Sequence, residues 1–448
     1  MTIYISNLSE DVWPFIRAIT SPQEREFELQ ENANLAERDL FSFPGEDDVL
    51  FIAPSPISQE FFSYYLGLFG NKNFSVLVPR VHTGTICDDI LADKHCLAQI
   101  KSFAKHTKKV TVLSYTVSAQ FLRLVSELRK MGIAVYTPEA PREEDSWTID
   151  FFGSKSGIRQ LAQKSGAQEP DFVMPDGLVC FDIADAAKIA AKKYISEKGV
   201  VVKTNKGHAG AGVLIFRPGD LPKDFAGCTR ALYAMMAKNK YWSKFPIIIE
   251  SYIKENPAIA GGSPNVEFKI SQSGVIDYTY VCGMRMTREG VFKGIEVHKD
   301  VMSEKIVAHI VDTGFFVAEQ YASHGYRGYF ELDFVASKGG KLYVTESNLR
   351  RNGGTHVFKT AEYLLGKDFD EDWCTLSNNV YRLPHKRRMT FGQIKNLLEP
   401  LLYNKKTKEG VILVSERLLS QQAIGYILFG KTKKRALAIE SEMEELLR

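Results

Sequence analysis

Two neighbouring segments decide how the rest of the chain is interpreted: Gly328-Tyr-Phe-Glu-Leu-Asp333-Phe-Val-Ala336 and Lys341-Leu-Tyr-Val-Thr-Glu346-Ser-Asn348-Leu-Arg350. Their patterns predict two β-strands, 328–336 and 341–346. Because side chains two residues apart lie on the same side of an extended chain, Glu346 and Asn348 share a face, and Asp333 would meet them if the strands pair. Three oxygen donors on one face suit Mg²⁺, which prefers carboxylates together with phosphate oxygens and water. Any one of them alone could instead belong to a solvated strand face.

A glycine-rich segment precedes these strands and reads Val200-Val-Val-Lys203-Thr-Asn-Lys-Gly207-His-Ala-Gly210-Ala-Gly212-Val213. Its three glycines leave the backbone free, so that successive N–H groups can approach phosphate oxygens, and Lys203 adds a cation on the preceding strand. The loop joins two β segments and does not open a helix, so it is neither a Walker loop nor a dinucleotide-binding fingerprint. A plain hairpin turn would have a similar composition.

A third segment, Ile247-Ile-Ile-Glu250-Ser-Tyr252-Ile253, is an apolar strand that runs into a polar stretch rich in Gly and Pro. Such a transition can place backbone amides and a carboxylate beside a flat heterocycle. Glu267 begins the next strand and could accept a hydrogen bond from a ribose hydroxyl. An ordinary edge-strand glutamate is the alternative interpretation of Glu267.

The chain divides into three parts of different character. Residues 1–150 alternate short apolar runs with amphipathic stretches such as 119–131, which predicts a parallel sheet flanked by helices. Residues 151–370 are mainly β with a few helices, and residues 385–448 form a small α/β piece. The sequence therefore predicts a mixed α/β (α+β) fold of three domains, 1–150, 151–370 and 385–448.

Charge and composition exclude several classes of protein. The 57 basic and 54 acidic residues nearly cancel, to a net charge of +3, so nothing calls for a nucleic-acid or membrane partner. The 6 cysteines are scattered without a Cys-x-x-Cys pair, which favours a reducing compartment. No secretory signal is visible near Met1, and the most apolar window, 61–70, is far shorter than the roughly 20 residues of a bilayer-spanning helix. We predict a cytoplasmic protein whose oligomeric state the sequence does not indicate.

Taken in order, the three segments resemble the ATP-grasp superfamily over residues 154–366. The resemblance implies that ATP and Mg²⁺, with Mn²⁺ as a substitute, are bound. It further implies a role for each matching residue: phosphate binding by Lys155 and Lys203; closure over ATP by the loop containing Gly207, Gly210 and Gly212; adenine binding by Glu250, Tyr252 and Ile253; ribose binding by Glu267; metal binding by Asp333, Glu346 and Asn348; and neutralisation of the transferred phosphate by Arg350.

The same resemblance implies a function and a domain plan. An ADP-forming ligase would activate a carboxylate as an acyl phosphate and pass it to a thiol or an amine, with Arg350 and Lys203 as the catalytic cations. Residues 1–150 would form the pre-ATP-grasp domain, 151–370 the ATP-grasp domain, and 385–448 a small C-terminal α/β domain.

The stretch Glu346-Ser-Asn-Leu-Arg-Arg-Asn-Gly-Gly-Thr-His356 is similar to a narrower group, which includes the peptide ligase of pheganomycin biosynthesis and the glutamate–carrier-protein ligase of the butirosin pathway. This similarity implies that a glutamate-like amino acid is passed to the phosphopantetheine thiol of a carrier protein, in antibiotic biosynthesis. A peptide ligase that forms an amide is the first alternative; a small-molecule kinase and a non-catalytic nucleotide-binding module are the others. Arg285 and Arg351 are candidates for binding a second carboxylate of such a substrate, or else structural arginines.

Overall fold

The computed structural model describes residues 1–208, 211–287, 289–384 and 388–448. The N-terminal third is built on short strands that alternate with helices, as predicted. Its elements are β1 (Thr2–Ile5), α1 (Leu8–Asp11), α2 (Trp13–Ala18), α3 (Pro22–Leu35), β2 (Val49–Ile52), α4 (Gln59–Phe69), β3 (Phe74–Leu77), α5 (Ile86–Ala92), α6 (Lys94–Ala104), β4 (Val110–Ser114), α7 (Ala119–Lys130) and β5 (Val135–Tyr136).

The five strands form one parallel sheet in the order β3-β2-β1-β4-β5. Strand β1 was not predicted, yet it lies at the centre of this sheet. Its residues alternate between two cores, since Tyr4 packs on one face and Ile3 and Ile5 pack on the other. A four-residue strand at the very start of the chain is too short to stand out by its periodicity.

The second part of the chain forms a small domain around a four-stranded antiparallel sheet in the order β6-β9-β7-β8. Its core contains the alanine-rich face of α10 and the apolar face of α11. The helices α8 (Trp147–Phe152) and α9 (Lys155–Ser165) precede this domain, and their buried residues pack in a different core. The elements of the domain are β6 (Gly177–Cys180), α10 (Ile183–Glu197), β7 (Val200–His208), β8 (Ala211–Phe216), α11 (Phe225–Ala237) and β9 (Ile247–Ser251).

The rest of the chain is organised by an eight-stranded sheet in the order β14-β13-β10-β11-β12-β15-β17-β16. The strands are β10 (Pro264–Ile270), β11 (Ile276–Met286), β12 (Phe292–Val297), β13 (Gly328–Ala336), β14 (Leu342–Asn348), β15 (Cys374–Arg382), β16 (Gly410–Ser415) and β17 (Ala423–Gly430). The accompanying helices are α12 (Glu304–Ser323), α13 (Thr355–Leu365), α14 (Phe369–Asp372), α15 (Phe391–Leu397) and α16 (Lys433–Leu446).

Residues 388–448 make up most of the small domain that the sequence analysis separated. Strands β16 and β17 continue the eight-stranded sheet through β15, and their buried residues share one core with Tyr4, Phe41 and Phe51 of the N-terminal domain. A domain boundary normally separates pieces that each have a core of their own, so the separation of 385–448 stays a prediction.

No helix in the described ranges is both long and apolar enough to cross a membrane.

Candidate active site

The pairing of β13 with β14 brings Asp333, Glu346 and Asn348 to one face of the sheet, as predicted, and their role as metal ligands stays a prediction. Asp333 lies directly opposite Glu346, and Glu331 lies opposite Asn348, so all four side chains share one face of the sheet. Asn348 Nδ2 lies 3.0 Å from Glu331 Oε1 and 3.4 Å from Asp333 Oδ2. Strand β10 adds Asn265, whose Nδ2 donates to both carboxylates, at 3.0 Å to Glu331 and 2.6 Å to Asp333.

These carboxylates are held close together, and their proton affinities differ. Burial raises the pKa of Asp333, and the neighbouring Glu331 and Glu346 carboxylates raise it further. Burial likewise raises the pKa of Glu331, to about 7. Burial raises the pKa of Glu346 most strongly of any single cause, but Lys155, Lys203 and Arg350 together outweigh it, so the net shift of this pKa is downward. A cation bound between these groups would relieve the repulsion that contributes to the raised pKa of Asp333.

Two distant lysines reach this cluster. Lys155 is the first residue of α9, which Ser154 caps by accepting from Gly157 N, and its Nζ lies 2.6 Å from Glu346 Oε1. Lys203, on β7, donates to the Thr345 carbonyl at 3.3 Å. Thr345 has no partner residue on β13 because the register shifts beside Asp333, and this bulge leaves its carbonyl available to Lys203.

Glu250 lies behind the lysines and does not face a base-binding surface. One of its carboxylate oxygens lies 2.6 Å from Arg159 Nη2 and the other 2.8 Å from Lys203 Nζ. The predicted contact of the Glu250 carboxylate with adenine is therefore corrected, because this buried carboxylate orients two cations instead. Tyr252 and Ile253 are half-buried on the linker that leaves β9, between the four-stranded and eight-stranded sheets, so that linker could still contact a base through its backbone.

The glycine-rich hairpin is present, and its glycines differ in what they do. Gly207 lines a cleft beside Lys155. Gly212 has a φ of 81°, and a Cβ there would collide with Thr204 Cγ2, so the turn itself requires a glycine. Gly210 lies outside the described residues.

Glu267 is placed differently from the prediction. It has no exposed surface, and its Oε2 accepts hydrogen bonds from Asn352 Nδ2 and Thr355 Oγ1, both at 2.5 Å. Burial raises its pKa to about 8. A ribose hydroxyl could not reach this carboxylate, so the ribose assignment is corrected to a buried structural role.

Arg350 follows β14 and opens onto a cleft of about 390 Å³. Its Nε lies 2.7 Å from Asp11 Oδ2, and its Nη2 lies 3.2 Å from Asn348 Oδ1. The cleft is bounded by the N-terminal domain at 10–14 and 116–122, by 146–155, and by Glu346, Asn348 and Arg350. One guanidinium thus joins the oxygen cluster to the N-terminal domain.

The two other candidate arginines are structural. Arg285 forms two hydrogen bonds with the Glu440 carboxylate, at 2.7 and 2.8 Å, and fastens α16 to the eight-stranded sheet. Arg351 is buried, pairs with Glu139 at 2.7 Å, and lies over the Tyr329 ring. Neither lines the cleft, and each is paired with a buried carboxylate.

The sequence analysis missed four residues that build the site: Glu331, Asn265, Arg159 and Asp11. Glu331 could have been found, since it stands two residues before Asp333 and so shares its face. Asn265 is the second residue of β10, ahead of the point where a strand was predicted to begin, at Glu267. Arg159 and Asp11 act through contacts 91 and 339 residues away, which no local pattern records.

The donor set fits Mg²⁺ together with a nucleotide. Across the described part of the chain, no three His, Cys, Asp or Glu side chains lie close enough together to hold a metal unaided. Two carboxylates and one amide, with phosphate oxygens completing the shell, are what Mg²⁺ usually takes. Lys155 and Lys203, both nearly buried, supply the positive charge that phosphates need.

Comparison with known proteins bears on the N-terminal domain first. Residues 36–129 match the sequence model of the pre ATP-grasp domain. No curated protein sequence matches the chain.

Solved structures extend the likeness to the whole chain. Biotin carboxylase from Campylobacter jejuni, in a β,γ-ATP complex, is 14% identical with a TM-score of 0.57, over 100% of this chain and 91% of that one. An ADP complex of N5-carboxyaminoimidazole ribonucleotide synthetase is 12% identical with a TM-score of 0.53, over 99% and 96%. The biotin carboxylase domain of the Hydrogenobacter thermophilus 2-oxoglutarate carboxylase, with MgADP and bicarbonate, is 13% identical with a TM-score of 0.55, over 99% and 89%. The chain thus has the ATP-grasp fold, preceded by a pre-ATP-grasp domain.

Proposed function

We propose that the protein is an ATP-dependent ligase that activates a carboxylate as an acyl phosphate and transfers the acyl group to a nucleophile. One observation carries the proposal: Lys155 and Lys203 reach the same pair of strands that holds Asp333, Glu346 and Asn348. Cations and oxygen donors that meet at the floor of a cleft suit a triphosphate held between lysines and a magnesium ion. The likeness to nucleotide-bound structures supports the same assignment.

In the first step, a carboxylate oxygen of the donor attacks the γ-phosphorus of ATP. The bond from that phosphorus to the β–γ bridging oxygen breaks, and ADP leaves with the bond electrons. Asp333, Glu346 and Asn348 would hold Mg²⁺, which supplies charge neutralisation at the phosphates. Lys155 and Lys203 would bind phosphate oxygens, releasing their present partners Glu346 and Glu250.

In the second step, the nucleophile attacks the acyl carbon and inorganic phosphate leaves. Arg350 lies where both the donor carboxylate and the transferred phosphoryl group would pass, between Asn348 and the N-terminal wall of the cleft. Its fixed positive charge would stabilise the developing negative charge, a contribution for which one group typically supplies roughly 10²–10³-fold in rate.

The nature of the nucleophile stays a prediction from the sequence resemblance. A carrier-protein thiol would give a thioester, and an amine would give an amide. Both follow from the same acyl phosphate, so the first test is designed to detect that intermediate and not the final product.

The test is trapping with hydroxylamine, which converts an acyl phosphate to a hydroxamate whatever the natural nucleophile is. We expect ADP and hydroxamate to form in equal amounts with Mg²⁺ present, and Asp333→Asn to lose both by roughly 10²-fold or more. Asp277→Asn is the matched control, because Asp277 is exposed on β11 and lies outside the cleft. ADP release with a stable phosphorylated product and no hydroxamate would show a kinase instead.

A further inference from the structure

Two tryptophans line the cleft that holds Arg350. Trp147, on α8, is 47% exposed and packs edge-on against Phe151 with ring centroids 5.9 Å apart. Trp13, at the start of α2, is half-buried and held by Gly84, where an added Cβ would lie 2.5 Å from Trp13 Cζ3. Exposed tryptophan is uncommon on a soluble surface unless it meets a partner. Two indoles at one cleft therefore indicate an apolar or aromatic ligand group.

The charged residues of the same cleft argue against a donor that carries a second carboxylate. Among its lining residues that the structure describes, the cations are Lys155, Lys206 and Arg350. Each already pairs with a carboxylate, respectively Glu346, Asp150 and Asp11. Nucleotide and metal would claim Lys155 and Glu346 together, and the reacting carboxylate would take Arg350 from Asp11. Of the described cations of the cleft, Lys206 would then be left for a second acidic group, and it is paired with Asp150.

The acidic residues in the part of the cleft wall that the N-terminal domain forms also disfavour a second carboxylate. Glu10 accepts hydrogen bonds from Asn7, Ser118 and the Cys87 amide, and Asp11 accepts one from Arg350, so two carboxyl groups already occupy that wall. A further carboxylate placed there would be desolvated beside them, which is unfavourable.

We infer that the acyl donor is a monocarboxylate carrying an aromatic or large apolar group, which packs on Trp147 and Trp13 while its carboxylate meets Arg350. This inference rests on the proposed function, and it replaces the glutamate-like donor that the sequence resemblance implied. Trp147 is assigned as a specificity-determining residue, since it lines the cleft with an exposed ring and forms, within the described residues, no side-chain hydrogen bond or ion pair that the nucleotide would replace.

The experiment compares 3-phenylpropanoate with glutarate and acetate, by hydroxamate formation and separately by calorimetric titration of the acid alone. We expect 3-phenylpropanoate to exceed both others in kcat/KM by about tenfold or more. Trp147→Ala should remove that preference, and Trp147→Phe should keep most of it. Phe181→Ala is the matched control, because Phe181 is 79% exposed but outside the cleft.

The two readouts separate the inference from the function on which it rests. Tight binding of 3-phenylpropanoate without hydroxamate would support the apolar site and overturn the ligase assignment. Hydroxamate formation with glutarate preferred, or a Trp147→Ala variant that keeps wild-type selectivity, would overturn the inference and leave the ligase intact. A chain that neither binds nor activates any of the three acids would contradict both.

Discussion

Lys155 and Glu346 form the ion pair at the centre of the site, 2.6 Å apart, with the lysine nearly buried. In the nucleotide-free chain each neutralises the other. When a triphosphate binds, the lysine would turn to phosphate and the carboxylate to metal, so no isolated charge would have to be buried.

This exchange predicts coupled effects of substitution. Lys155→Met and Glu346→Gln should each lower kcat/KM for ATP by roughly 10²–10³-fold. The double variant should lose far less than the product of the two, because both residues act on one metal–phosphate unit. The measurement is steady-state ADP release by the wild type, the two single variants and the double variant. Strictly multiplicative losses would show that the two residues act independently.

A second prediction concerns Glu37, whose carboxylate fastens the N-terminal domain to the C-terminal strands. Its Oε2 accepts from Ser415 Oγ, Glu416 N and Arg417 N, and burial raises its pKa from 4.5 to about 7. The folded state thus keeps a proton that the unfolded state has released, so stability falls as pH rises from about 4.5 to 7.

Glu37→Gln cannot ionise and keeps an oxygen for the same donors. Its free energy of unfolding relative to the wild type should therefore increase by about 2 kcal/mol between pH 5 and pH 8. Urea titrations of both proteins at the two pH values test this. A difference that does not change with pH would mean that Glu37 is ionised in the folded protein across the range.

At the scale of the element, the hairpin β7–β8 depends on Gly212. An alanine there would have to adopt a φ of 81° and would collide with Thr204. We expect Gly212→Ala to destabilise the fold by about 2 kcal/mol, by backbone strain and this contact. Thr204→Ser removes the colliding methyl group and should restore part of the loss.

Gly67→Ala is the control for this substitution. Gly67 is exposed within α4 and has nothing within 4 Å of an added Cβ, so alanine there should be neutral or slightly stabilising. The measurement is the thermal unfolding midpoint of Gly212→Ala, of the double variant Gly212→Ala/Thr204→Ser, and of Gly67→Ala. Equal midpoints for Gly212→Ala and Gly67→Ala would contradict the stated role of Gly212.

Some of these elements could be predicted from the sequence and others could not. Strands 328–336 and 341–346 were predicted almost to their ends, and their shared polar face followed from a period of two, because both strands carry long, regular patterns. The arginines at 285 and 351 could not be assigned, since their partners Glu440 and Glu139 lie 155 and 212 residues away. Strand β1 was not predicted, because its four residues are recognisable as a strand only through their pairing with the neighbouring strands of the sheet.

At the scale of the whole molecule, two hydrophobic cores differ in how many parts of the chain they join. One core joins the N-terminal sheet to β15, β16 and β17, while another is confined to the small four-stranded domain. We therefore expect the two ends of the chain to unfold as one cooperative unit, separately from the small domain.

This difference between the two cores predicts which strands lose protection when a buried side chain is truncated. Ile427→Ala, in β17, should cost about 2–5 kcal/mol and lower hydrogen-exchange protection in β2 as well as β17. Leu232→Ala, in α11, should lower protection within the four-stranded domain and leave β2 unchanged. Loss of protection in β17 alone after Ile427→Ala would show that residues 388–448 are an independent domain.

The central claim is that three oxygen-bearing side chains and two lysines converge on one magnesium–triphosphate, and a crystal structure with Mg²⁺ and a non-hydrolysable ATP analogue tests it most directly. We predict a metal about 2.1 Å from oxygens of Asp333, Glu346 and Asn348, with Lys155 and Lys203 on phosphate oxygens. A nucleotide bound elsewhere, or a metal without contact to any of the three, would contradict the account.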